Sequence, residues 1–167
     1  MSTTSSVLVG RQGKTVWVKV AGRGSFQNSP GVKEFVLKMI QRGHREFVVD
    51  LEACELMDST FMGTLAGIAL RLREMGQGNL RVTNLNERNS DLLSNLGLDQ
   101  LFVMEARVGD AATAPAQVPL ASAAPDKMTQ AQTMLEAHEA CIEANEANAA
   151  KFKDVLEYLK QDLHLAS

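Results

Sequence analysis

Two short apolar runs separated by one helical pattern constrain this chain more than any other feature. Phe47-Val48-Val49-Asp50-Leu51 has the composition of a strand buried in the middle of a sheet. A six-residue loop leads to Asp58-Ser59-Thr60, after which Phe61, Leu65, Ile68, Ala69, Leu72 and Met75 mark a helix that stops at Gly76-Gln77-Gly78. Leu80-Arg81-Val82-Thr83-Asn84 then reads as a second strand. Strand, helix and strand in that order join as a parallel pair with a right-handed crossover, so the chain must contain an α/β layer. The other faces of the intervening helix are apolar as well.

The flanking sequence extends this unit. Val16, Val18 and Val20 alternate along one face of Thr15–Val20, and Val7–Val9 supplies a short hairpin partner, an antiparallel start to the sheet. Asn28 or Ser29 can cap a helix with Pro30 in its first turn, and Val32, Phe35, Val36, Met39 and Ile40 follow its apolar stripe to Gly43. A third helix is expected over about Ser90–Leu96, with Leu92, Leu93 and Leu96 inward, and a last strand near Leu101–Met104. The expected fold class is therefore α/β: a mixed sheet of four to five strands packed with helices, spanning residues 1–105.

Beyond it the composition changes twice. Residues 106–125 hold eight alanines and three of the four prolines, Pro115, Pro119 and Pro125, and read as a linker. Residues 1–105 carry 12 basic and 11 acidic side chains, whereas residues 126–167 carry 4 and 8. Met128, Ala131, Leu135, His138, Ile142, Asn145, Ala149, Phe152, Leu156, Leu159 and Leu163 are spaced 3, 4, 3, 4 throughout, the pattern of a coiled-coil seam. This predicts a single long C-terminal helix of ~55 Å. It either pairs two chains into a homodimer through residues 128–163 or folds back on its own domain. Asn145, polar within the seam, would set register and partner number, and His138 would make pairing pH-sensitive.

Several function classes are disfavoured. A net charge of −3 and one tryptophan, one tyrosine and six phenylalanines give neither the basic field nor the stacking surface for nucleic acid. No apolar run reaches the ~18 residues of a membrane span and the first residues are not those of a signal peptide, so a soluble cytoplasmic protein is expected. Cys54 and Cys141 lack ligand-spaced partners and read as free thiols. His44, His138 and His164 fall in separate elements and no nucleophile, phosphate-loop or zinc signature occurs, so no enzyme activity, metal or cofactor is indicated. Glu52, Glu55 and Asp58 share one loop, but three carboxylates are few for a calcium cage, and an exposed acidic loop explains them.

The stretch Met57-Asp58-Ser59-Thr60-Phe61-Met62-Gly63-Thr64 draws most interest. Its hydroxyls and carboxylate sit where a helix needs an N-cap, and capping alone accounts for them. Loops that follow parallel strands and precede helices also form the functional edge of open α/β sheets. Phe47–Leu51, Met57-Asp58-Ser59-Thr60 with Gly63, Leu80–Leu85, and Leu92 through Leu98-Asp99 to Leu101-Phe102 together resemble the STAS domain of bacterial anti-sigma-factor antagonists over residues 7–105.

The resemblance implies that Ser59, flanked by Asp58, is a phosphoacceptor, with Thr60 its rival and Thr64 a poorer one inside the helix. It implies a partner-binding surface of Asp58, Ser59, Thr60, Met62 and Gly63 together with Arg23, Ser25 and Asn28. The implied partners are a serine kinase that is also the anti-sigma factor, and a protein phosphatase. A STAS scaffold or transporter-associated module without phosphorylation, assembling through its C-terminal helix, is the competing expectation. Two features depart from the family pattern: Phe61 stands where a glycine is common, and Gly22-Arg23-Gly24-Ser25 replaces an often acidic rim.

Overall fold

The computed structural model describes residues 5–105, 117–120 and 125–166. A hairpin opens the chain: β1 (Ser6–Gln12) pairs antiparallel with β2 (Thr15–Gly24), Val9 opposite Val18. Helix α1 (Ser29–Gln41) follows, then β3 (Glu46–Asp50), β4 (Cys54–Met57), α2 (Ser59–Glu74), β5 (Asn79–Thr83), α3 (Glu87–Asn95), a 3-10 turn at Leu98–Gln100 and β6 (Val103–Glu105). β3 lies parallel to β2, β5 to β3 and β6 to β5, so the expected βαβ unit is present with Val49 in register with Val82. Val16, Val18, Val20, Phe47, Val49, Leu80 and Val82 form the sheet's share of the core, and Val32, Val36 and Ile40 are the buried stripe of α1.

Among the described residues the sheet has seven strands rather than four to five, in the order β6-β5-β3-β2-β1-β7 with β4 beside β2. The extra members are short. β4 falls in the segment expected to be loop and pairs parallel with the end of β2, where the register shifts between Gly22 and Arg23. β7 (Val118–Pro119) lies in the expected linker and adds antiparallel to β1, with Leu120 N–H donating to the Val7 carbonyl at 2.8 Å. The rest of the expected linker, residues 106–116 and 121–124, lies outside the described residues.

The single long C-terminal helix is replaced by two, α4 (Lys127–Ala144) and α5 (Asn148–Ala166), joined by a three-residue turn. Asn145 makes the turn instead of setting a seam. Its backbone is extended (φ −152°, ψ 111°), its carbonyl accepts from Asn148 N–H, and its Oδ1 accepts from Ala147 N–H at 3.0 Å. His138 and Phe152 are 14 residues apart, which in one helix would separate them by about 21 Å. Their rings instead meet edge to face with centroids 4.7 Å apart, because the chain doubles back. Buried Asn148 secures the corner, its Nδ2 donating to the carbonyls of Leu96 and Cys141, each at 2.8 Å.

The hairpin folds back on its own domain. α4 lies along α2, and its most buried positions are Ala131, Thr133, Ala137, His138, Ala140 and Cys141, whereas the seam residues Leu135 and Ile142 are only half-buried. Small residues and His138, not the aliphatic seam members Leu135 and Ile142, make the contact. The matching feature on α2 is a glycine pair one turn apart: a Cβ on Gly63 would run into the Ala137 carbonyl, and one on Gly67 would touch Ala140 at 3.7 Å. Across the same junction, Lys33 on α1 forms an ion pair with Glu136 on α4. Burial lowers the pKa of the Lys33 ammonium from its usual value.

Candidate functional site

Asp58 organises the site. It is the N-cap of α2, with extended backbone, and its Oδ1 accepts from Phe61 N–H at 2.8 Å. Its Oδ2 accepts from Phe26 N–H at 2.9 Å in the β2–α1 loop. One carboxylate thus satisfies a helix amide that has no intrahelical partner and ties a second loop to the same point. That loop braces itself: Asn28 Oδ1 accepts from Ser25 N–H, Asn28 Nδ2 donates to the Arg23 carbonyl, and Ser29 Oγ donates to the Ser25 carbonyl. Asn28 does occupy the cap position of α1, but its side chain is turned back into the loop and makes no cap bond.

Of the three hydroxyls, Ser59 is half-buried, whereas Thr60 and Thr64 are 5% and 6% exposed. Thr64 Oγ1 donates to the Thr60 carbonyl at 2.8 Å, one turn back. Ser59 has a different partner. Its Oγ lies 3.0 Å from Nε2 of His138, which is buried on α4. His138 Nδ1 is 2.6 Å from the Met134 carbonyl, which can only accept, so Nδ1 carries a hydrogen. In the neutral ring Nε2 is then the acceptor for the serine hydroxyl, whose hydrogen points into α4.

The expected surface residues divide in two. Arg23 is exposed, while Ser25, Asn28 and Asp58 are half-buried along one rim with Ser59. Arg23, Ser25 and Asp58 line, with Phe26, Gln27 and Leu56, a cleft of about 240 Å³. Met62 and Gly63 are buried, Gly63 directly beneath Ala137. Gly63 reaches the surface only if α4 leaves, whereas Met62 belongs to the hydrophobic core. Phe61, in the position where the family commonly has glycine, is fully buried, and a Cβ on Gly24 would come within 2.7 Å of its ring. The missing side chain at Gly24 makes room for the extra one at Phe61, so this departure is absorbed within the core.

Glu52, Glu55 and Asp58 do not converge, and no cluster of histidine, cysteine or acidic side chains among the described residues could hold a metal ion. Cys54 and Cys141 are both free and buried. Burial pushes the Cys141 thiol up to about 12, and burial also raises the Cys54 thiol above its ordinary value. No helix among the described residues is long and apolar enough to cross a membrane.

His138 was not legible as part of this site. It lies 79 residues from Ser59 and occupies a seam position that suggested pairing between chains. The available signal was on α2, whose other faces are apolar too: a helix buried on more than one side needs more than a sheet to cover it.

A mixed sheet with β2, β3, β5 and β6 parallel, and a serine at the N-terminus of the helix that follows β4, defines a STAS-type domain. Residues 7–105, more than half of the chain, match the family model for the Mlab, STAS domain, and the chain belongs to the STAS-domain family. Among solved structures it resembles a Thermotoga maritima protein provisionally described as an anti-sigma factor antagonist. There the identity is 19%, over 62% of this chain and 89% of that one, with a TM-score of 0.54. The NMR structure of the protein TM1081 gives 19% identity over 62% and 83%, with a TM-score of 0.56. The anti-sigma factor antagonist SpoIIAA in its unphosphorylated form gives 16% identity over 59% and 87%, with a TM-score of 0.51. These likenesses are of fold. In a comparison with curated proteins, nothing matches this chain.

Proposed function

We propose that this chain is a cytoplasmic protein-binding module of the anti-sigma-factor-antagonist kind, working through the β2–α1 loop and the first turn of α2. It captures a kinase-type anti-sigma factor and frees a sigma factor, without catalysis of its own. The observation that carries this reading is the double engagement of Asp58, which fixes loop Arg23–Asn28 and the α2 N-terminus as one rim beside Ser59. Phosphorylation of Ser59 adds about −1.5 to −2 charges at that rim. A like charge within ~5 Å on a docked partner costs roughly 3 kcal/mol at an effective dielectric of ~20. At about 1.4 kcal/mol per decade, that switches affinity by ~100-fold with the fold intact. A phosphatase resets the module. Thr60, being buried, is the poorer acceptor.

The test is co-purification from the native host followed by phosphosite mapping of residues 59 and 60. Ser59→Ala should retain the partner constitutively, and Ser59→Asp should lose it while melting within a few degrees of wild type. Recovery of the same partner by the aspartate variant sinks the switch.

A second reading, an unphosphorylated scaffold or transporter-associated module, is favoured by one observation: the Ser59 hydroxyl already has a partner in His138. Native protein with no phosphate at residues 59–60 and partners unaffected by Ser59→Asp would establish it.

A further inference from the structure

The face of α2 that carries Ser59, Gly63 and Gly67 is built to receive a helix, and in this structure it is occupied by α4. Gly63 lets the α4 backbone approach until the Ala137 carbonyl fills the space of its missing Cβ, and one turn on Gly67 faces Ala140, where a Cβ would make ordinary contact at 3.7 Å. The contact ends on a hydrogen bond between Ser59 and His138. It is incompletely sealed, because a groove of about 450 Å³ remains between α1, α2 and α4, lined by Lys33, Leu37, Gly67, Glu136 and Ala140 among others. What α4 contributes is mostly alanine and threonine, side chains that bury little apolar area each.

We infer that α4 is a displaceable cover, and that the α2 face it occupies docks a helix from a protein partner. That helix would carry small residues at α4-like spacing, as at Thr133, Ala137, Ala140 and Ala144, and acidic groups on the flank that meets Lys33. While α4 is seated, Gly63 is out of reach and the Ser59 hydroxyl is committed to His138. A phosphoryl group with its three oxygens cannot enter the 3.0 Å gap to Nε2 unless the imidazole leaves or the serine turns to another rotamer. The partner half of this inference rests on the reading of the Ser59 rim as the working surface; the occupancy of the groove does not.

The test uses the full chain and its own helix as the probe. A fluorescent peptide of residues 126–166 is titrated into wild type and into Ala137→Glu, which places a buried charge opposite Gly63 and lifts the tethered α4. A tethered helix outcompetes a free one, so the peptide should bind the variant at least ~100-fold more tightly than wild type. Adding Gly63→Val to the variant should abolish that binding. Ala140→Glu gives a second opening substitution should Ala137→Glu melt as an unfolded chain. Equal binding to wild type and both opened variants, or binding to none, overturns the inference. Because the probe is this chain's own helix and the protein titrated is unphosphorylated, the result does not depend on which regulator binds the Ser59 rim, so failure here and failure of the co-purification test are separately visible.

Discussion

Helix α2 is buried on two sides by unlike means. Phe61, Leu65, Ile68 and Leu72 form one stripe, large apolar side chains at most 3% exposed within the domain core. Gly63, Thr64 and Gly67 lie on the side toward α4, where at Gly63 close backbone approach replaces side-chain volume. Large interdigitated side chains cannot be removed without leaving cavities, whereas a glycine–alanine contact can part and leave two smooth helices. The first face holds the domain together and the second holds a cover on it.

The sharpest way to break this contrast is to truncate each face in turn. Leu65→Ala should cost about 2–5 kcal/mol and lower the denaturant midpoint of the whole domain. A loss confined to α4 would mean that the two faces have been assigned the wrong way round. Gly63→Val should cost less, about 1–3 kcal/mol, through overpacking against α4. Its signature is local: hydrogen exchange should speed up in α4 and α5 while the β2, β3 and β5 amides keep their protection. The two thiols report the same difference. With its pKa at about 12, only about 1 in 10,000 Cys141 side chains is thiolate at pH 8. Alkylation of the wild-type protein should therefore be slow at both cysteines. In Gly63→Val, Cys141 should react first and Cys54 should stay protected; simultaneous labelling would indicate that the cover and the domain open as one.

Asp58→Ala sits between the two regions. Losing the cap and the tie to Phe26 should cost about 1–2 kcal/mol and raise exchange at the amides of Phe26 and Phe61, with α4 little changed. The smallest effect belongs to Lys33→Ala. Its ion pair with Glu136 is partly solvated, and such pairs contribute at most about 1 kcal/mol, screened by salt. A loss of more than that, read from thermal melts at low and high ionic strength, would make charge rather than close packing the main hold on α4.

Much of the domain could be read from the chain because its signals are local. The βαβ unit and the α1 stripe announce themselves by periodicity, and the Asp58 cap by residue type. β4 was illegible because Cys54-Glu55-Leu56-Met57 contains no β-branched residue and pairs with the end of β2 about 30 residues earlier, beyond a register shift. The turn at Asn145 was hidden by the very regularity of the 3-4 spacing, which runs through residues 145–147 without a gap. A heptad pattern records which residues share a face and is silent about whether the backbone continues. The Asn145 side chain, competing for backbone amides, was the local clue. The Ser59–His138 contact is legible only in three dimensions, since neither residue carries a mark of the other.

Two residues of the supposed linker also decide how this molecule can meet others. Val118–Pro119 lies along the outer margin of β1, and a proline there has no N–H to offer a newcomer. At the opposite margin, among the described residues, lies β6, Val103–Glu105. Where β7 pairs with Leu8 and Val9 the border of β1 is closed to strand addition, and the helical side of the molecule offers another way in, where an arriving chain must evict a resident before it can settle.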